Sequence, residues 1–188
     1  MKRTFIAFKI QPPANALQEI NSIRNKLKNV SVKWVPFQNY HLTFTFIGQT
    51  NEEQLKALEG LLKQTADQLN PFTVDFKRLG TFGRPGNPKV LWIGGELSDP
   101  VGKVKNELDE SLRTLGFNLD GKPFRVHLTL GRIKRTNNLE LLKNTIERYK
   151  EYFFFKEKIN DIILYESVNG PDGPLYYPLI KEEISQSV

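Results

Sequence analysis

The chain has no cysteine, one methionine and only two histidines among 188 residues. Without cysteine there are no disulfides, no thiolate nucleophile and no zinc–thiolate site, and a cytoplasmic location is expected. No apolar run reaches the roughly 18 residues that a membrane-crossing helix needs, so no transmembrane segment is expected. The opening MKRTFIAFKIQPP starts basic, but its apolar stretch is short and is broken by Lys9, Pro12 and Pro13, which argues against a signal peptide. A Gly-x-x-x-x-Gly-Lys phosphate loop and a Rossmann glycine fingerprint are both missing.

What is present is ordinary in bulk. Hydrophobic residues make up 39% and charged residues 26% of the chain, enough for a real core in one large domain or two small lobes. The 27 basic and 21 acidic side chains leave a net charge of +6, which favours anionic partners such as nucleic acid or phosphates. No long Lys/Arg block occurs, so the charge forms a modest patch and not a basic arm.

Aromatic and β-branched residues make RTFIAFKI (3–10) a strand. Leu17, Ile20, Ile23 and Leu27 recur at helical spacing after Pro12 and Pro13. VKWV (32–35) alternates briefly. YHLTFTFIG (40–48) alternates cleanly and assigns Leu42, Phe44 and Phe46 to one face, His41, Thr43 and Thr45 to the other. Thr50 and Glu53 have capping-box spacing and open a helix to about Leu69. Strands follow at 72–82 and 89–97, with the turn-rich GRPGNP (83–88) between them. Val104, Leu108, Leu112 and Leu115 mark a third helix. FRVHLTLGR (124–132) alternates with Phe124, Val126, Leu128 and Leu130 on one face, and a helix spans about 138–150. Residues 152–167 read as one long strand or two shorter ones, NGPDGP (169–174) as a second turn-rich loop, and LYYPLI (175–180) as the last strand. A polar tail (183–188) is expected to fray.

The halves match at a fixed offset of 86. His41, Leu42 and Thr43 land on His127, Leu128 and Thr129; Ile47 lands on Ile133, Thr50 and Asn51 on Thr136 and Asn137, and Pro88 on Pro174. This is an internal duplication, with halves at approximately 1–86 and 87–182 of a single bilobal domain. The expected fold is α+β and two-lobed: two mainly antiparallel sheets with outer helices, related by a pseudo-twofold around a central groove. Both histidines occupy equivalent strands, so they can face each other across that groove.

In a strand, residues i and i+2 share a face, so each His-x-Thr sets an imidazole beside a hydroxyl. Two such pairs suit general acid and base catalysis, one imidazole protonated and the other neutral, while the threonine hydroxyls hydrogen-bond phosphate oxygens. The group best matched to two opposed His–Thr pairs is a phosphodiester or cyclic phosphate. Metal is not expected, because a catalytic site needs a third protein ligand and neither motif contains Asp or Glu. A Ser–His–Asp triad leaves the second histidine unexplained. Strict alternation sends Arg132 to the core; a strand end or bulge at Gly131 would instead swing it to the pocket, where it can clamp a phosphate oxygen. Trp34, Phe37 and Tyr40 precede the first motif and are assigned to core packing over base stacking.

These residues closely resemble the two-histidine (2H) phosphoesterase superfamily, defined by paired His-x-Thr-x motifs in a duplicated fold. Within it the chain is similar to the bacterial and archaeal RNA 2′,3′-cyclic phosphodiesterases, also called 2′-5′ RNA ligases. RTFIAFKI, VKWVPFQNYHLTFTFIG, VLWIG, PFRVHLTLGR and LYES carry the likeness. The resemblance implies a metal-independent enzyme, without cofactor, that opens RNA 2′,3′-cyclic phosphate ends to 2′-phosphates. By carry-over His41 is the proton donor and His127 the proton acceptor, with Thr43, Thr129 and Arg132 on the phosphate. The reverse reaction would join RNA ends through a 2′-5′ linkage. A monomer is expected. The alternatives left open are a relative acting on 2′-5′ oligoadenylate or another small cyclic phosphate, and a non-catalytic RNA-end-binding protein.

Overall fold

The computed structural model of the chain describes residues 1–97, 101–121, 124–171 and 173–185. In order, the elements are β1 (Lys2–Lys9), α1 (Ala14–Lys26), β2 (Ser31–Trp34), a short 3-10 turn (Phe37–Asn39), β3 (His41–Thr50), α2 (Glu52–Gln68), β4 (Phe72–Arg84) and β5 (Asn87–Leu97). Then come α3 (Val101–Thr114), β6 (His127–Arg135), α4 (Leu139–Arg148), β7 (Phe153–Ile159), β8 (Asp161–Gly170) and β9 (Gly173–Glu183). The fold is α+β, with two antiparallel sheets ordered β3-β1-β8-β9 and β2-β6-β5-β4-β7.

Sheet membership does not follow the sequence halves. Strand β4 closes the first copy, yet it pairs with β5 of the second. Strand β8 belongs to the second copy, yet it pairs with β1 of the first. Each copy thus lends strands to the other's sheet. The first turn-rich loop joins the copies within one sheet: β4 runs to Arg84 before β5 starts at Asn87. At the second, β8 runs to Gly170 before β9 starts at Gly173. The first segment expected to be a loop is a tight hairpin turn, as its Gly and Pro content allows; the second includes residue 172, which lies outside the described residues.

The helices bury one stripe each. Ala16, Ile20 and Ile23 of α1, Leu58 and Leu62 of α2, Leu108 and Leu112 of α3 and Leu142 of α4 all sit in one continuous core with Leu42, Phe44, Leu128 and Leu130. The central strand β1 is covered on both faces. Ile6 and Phe8 join that core, whereas Phe5 and Ala7 form a second cluster with Ile163 and Tyr165.

Three boundaries differ from the sequence reading. Helix α2 is capped one residue later: Asn51 accepts from Gln54 N–H and Gln54 answers through its side chain, completing the capping box. Thr50 is instead fully buried, its hydroxyl 2.7 Å from that of Thr4. Residues 124–126 are not strand; β6 begins at His127. The polar tail is held further than its composition suggests, since β9 extends to Glu183 and Ile184 is buried, its N–H donating to Asn160. Residues 186–188 of that tail lie outside the described residues. Among the described residues no helix is long and apolar enough to cross a membrane.

Candidate active site

Both motifs open a strand, His41 at the start of β3 and His127 at the start of β6. In each, the histidine and threonine are half-buried while the leucine between them is fully buried, as alternation requires. Just after each motif threonine the register slips at the same place in both strands. Ala7 faces Thr43 and Ile6 faces Thr45, so Phe44 is skipped. Trp92 faces Thr129 and Leu91 faces Gly131, so Leu130 is skipped. A bulge adds one residue and inverts the alternation beyond it.

That inversion decides what borders the motifs. Arg132 is exposed and Gly131 buried, so the arginine lies on the His–Thr face as the bulge reading expects. Phe46, at the equivalent place in the first copy, is 60% exposed, whereas Thr45 is buried. The sequence reading of Phe46 as a core residue and Thr45 as groove-facing is therefore reversed, because clean alternation does not reveal an inserted bulge.

The residues after each bulge also differ. A Cβ on Gly131 would overlap Val32 and approach the Lys33 carbonyl to 3.0 Å, so glycine lets β2 pair tightly with β6. Its counterpart Thr45 donates to Asp109 Oδ1 of α3 at 2.6 Å. The other Asp109 oxygen takes the ammonium of Lys105, which is buried among Phe44 and Phe124. This ion pair was not legible in the sequence, where Lys105 reads as a polar position of a helix.

The two imidazoles are fixed alike. Asn39 O lies 2.7 Å from His41 Nδ1, and Arg125 O lies 2.7 Å from His127 Nδ1. A carbonyl only accepts, so each Nδ1 carries the hydrogen and each neutral ring keeps its lone pair on Nε2. Burial pushes the His41 pKa down to about 4; the Asn39 carbonyl opposes this, and the charges of His127 and Lys9 push the same way. His127 is lowered too, mainly by burial and against the pull of the Arg125 carbonyl. In the free protein both rings are neutral at pH 7. The influence of His127 on His41 places the two rings within electrostatic reach of each other.

Aromatic rings that the sequence did not single out buttress each histidine. Phe5 lies 5.1 Å from His41, and Tyr176 stands edge-on to it at 5.1 Å. Phe82 stands edge-on to His127 at 4.9 Å. Burial raises the Tyr176 hydroxyl pKa, and the charges of Arg132 and Arg3 oppose it. A cavity of about 530 Å³ opens beside Thr43 and His127. Trp34, Phe37 and Tyr40 keep to packing: Tyr40 is buried, and the Arg24 guanidinium lies 4.2 Å from the Phe37 ring and 5.3 Å from that of Trp34. Among the described residues no three of His, Asp and Glu converge as a metal-binding group.

The sequence profile described as LigT like Phosphoesterase matches the chain twice in tandem, over residues 10–92 and 94–176. An RNA 2′,3′-cyclic phosphodiesterase of Archaeoglobus fulgidus is 34% identical over 178 residues, 94% of this chain and 97% of that protein. One of Methanocaldococcus jannaschii is 35% identical over 180 residues, 96% and 99% of the two chains. Among solved structures, TT0787 of Thermus thermophilus superposes with a TM-score of 0.78 at 24% identity, covering 97% of each chain. Escherichia coli LigT complexed with 3′-AMP superposes at 0.73 with 23% identity, covering 98% of this chain and 99% of that one, a likeness of fold. A duplicated profile match, near full-length relatives and a shared two-sheet fold with one histidine motif per copy make this chain a member of the LigT-like family of 2H phosphoesterases.

Proposed function

We propose that the chain hydrolyses RNA 2′,3′-cyclic phosphate ends to 2′-phosphomonoesters by metal-independent acid–base catalysis. One observation carries the reading: two equivalent strands present two His–Thr pairs, each imidazole held through Nδ1 by the carbonyl two residues before it. The near full-length relatives named RNA 2′,3′-cyclic phosphodiesterase support the substrate.

His127 Nε2 takes a proton from water. The water oxygen attacks phosphorus, the P–O3′ bond breaks, and O3′ takes a proton from His41 Nε2. Thr43 and Thr129 hydroxyls hydrogen-bond the non-bridging oxygens, and Arg132 balances their charge. Donors fixed in advance cost no reorganisation as charge grows in the transition state. His41 has to be protonated to act, although its pKa in the free protein is about 4. The bound phosphate anion supplies the raising charge. The site is complete within one chain, which suits a monomer, and nothing in it calls for a membrane; a cytoplasmic place of action fits.

The test is a nucleoside 2′,3′-cyclic phosphate in excess EDTA, followed by phosphorus NMR. A 2′-phosphomonoester is expected, and His41→Ala and His127→Ala should each lower kcat by about 10²–10⁴. Activity that needs added metal, or that survives both substitutions, would sink the mechanism.

A further inference from the structure

Strands β3 and β9 are opposite edges of the four-stranded sheet. Strands of a flat sheet lie about 4.8 Å apart, so three intervals would hold these edges roughly 14 Å from each other. Two contacts nevertheless join them beside His41. The Tyr176 ring of β9 stands edge-on to the His41 ring with centroids 5.1 Å apart. Asn39, two residues before His41, donates through Nδ2 to the Pro174 carbonyl of β9 at 3.0 Å. The sheet therefore coils over its own concave face at this end. Phe5 of β1 fills the hollow, 5.1 Å from His41, 5.3 Å from Tyr165 and 5.0 Å from Tyr176 between ring centroids.

Asn39 is thus bonded twice. Its backbone carbonyl accepts the Nδ1 hydrogen of His41, and its side-chain amide reaches the strand that carries Tyr176. The neighbouring carbonyl of Gln38 accepts from the Lys9 ammonium, which ties the same turn to β1. Strand β9 pairs within the sheet with β8 alone, and the Asn39 amide holds its start from across the sheet. The second copy is built differently here. At the 86-residue offset Asn39 becomes Arg125, whose carbonyl also takes a histidine Nδ1 hydrogen. The Arg125 guanidinium lies 6.0 Å from the Phe82 ring, which stands against His127. An amide hydrogen bond at 3.0 Å fixes distance and direction. A cation 6.0 Å from a ring, at the limit of such contacts, fixes neither.

We infer that Asn39 is a positioning residue: by strapping β9 across the end of the sheet it seats Tyr176 against His41 and holds that imidazole in line with the departing oxygen. The inference rests on the proposed role of His41 as proton donor and extends it. Asn39 acts through the ring that it orients. Its carbonyl sets which nitrogen carries the hydrogen, and its amide sets what the ring leans on. Loss of the amide leaves the first function intact and removes the second, so the two can be separated by substitution.

The experiment uses Asn39→Ala, which keeps the backbone carbonyl. With a nucleoside 2′,3′-cyclic phosphate, kcat should fall about tenfold or more while KM stays within about twofold, since misplacing a catalytic group slows the chemical step. Imidazole NMR supplies a readout that needs no turnover. With Tyr176 released, water reaches His41, and its pKa should rise from about 4 toward the ordinary value of about 6.5, while that of His127 stays put. More of His41 is then protonated at neutral pH, so a lower kcat reports lost orientation and not lost acid. Tyr176→Ala should slow the reaction in the same way, and the double variant no further than the worse single one, because one strap is broken at two places. Losses that multiply would overturn the inference. So would a lower melting temperature with kcat and the His41 pKa unchanged, or equal shifts in both histidines. A wild-type chain that hydrolyses no cyclic phosphate overturns the proposed function; the His41 pKa in Asn39→Ala then decides the strap alone, a rise supporting it and no change overturning it.

Discussion

At the scale of single residues, the site's chemistry depends on where a proton rests. Each imidazole donates its Nδ1–H to a carbonyl two residues upstream, so Nε2 is the atom left for substrate in both. His41 is the more perturbed ring, held down to about 4 by burial, by His127 and by Lys9. Removing the charge of His127 should therefore raise the His41 pKa, and His127→Ala followed by imidazole NMR across pH 4 to 8 measures it; a His41 pKa that stays put or falls would contradict the coupling. The same shift bears on stability. An unfolded chain protonates His41 near its ordinary value of about 6.5, whereas the folded chain resists until about 4. The stabilisation is complete above about pH 6.5 and is lost as pH falls toward 4. Melting temperature should drop through that window in the wild type and less steeply in His41→Asn.

At the scale of elements, paired bulges do what ideal strands cannot. They keep His and Thr on the groove face, send the next hydrophobic residue to the core, and then return Phe46 or Arg132 to the groove. What lies against each bulge differs, and so do the residues that fit. Gly131→Ala forces a Cβ against Val32 and the Lys33 carbonyl, so a loss of about 1–3 kcal/mol is expected in urea unfolding. Thr45→Val removes the hydroxyl that donates to Asp109 and should cost about 1–2 kcal/mol, with Lys105 keeping the carboxylate paired. An unchanged midpoint in either variant would show that the bulge tolerates the change.

At the scale of the whole molecule, the exchange of β4 and β8 ties the two copies together. A fragment of residues 1–86 retains β1 and β3 but loses β8, which borders β1, and it leaves β4 without β5 and β7. Such a fragment should show little ordered structure by circular dichroism, and mixing it with residues 87–188 should recover structure. A fragment that folds alone would mean that the exchanged strands are dispensable. The continuous core predicts the same cooperativity, since residues of both copies share it.

Much of this protein is written locally. Period-2 and period-3.6 patterns depend on neighbours along the chain, so the strands around His41 and His127, the four helices and the 86-residue repeat are legible without coordinates. The groove-facing place of Arg132 followed from the cost of burying an unpaired guanidinium. Other features depend on contacts between distant segments. Whether Thr45 or Phe46 enters the core is set by a slip against β1, and whether β4 returns to its own half or joins β5 is set by the hairpin turn at Pro85 and Gly86. The burial of Lys105 requires Asp109 beside it and two aromatic rings from other elements. The sequence by itself therefore determined which side chains are the candidates for the chemistry and that they come in two equivalent sets. Tertiary packing alone decided how the two sets differ, because bulge, exchange and cavity arise only where segments far apart in the chain compete for the same space.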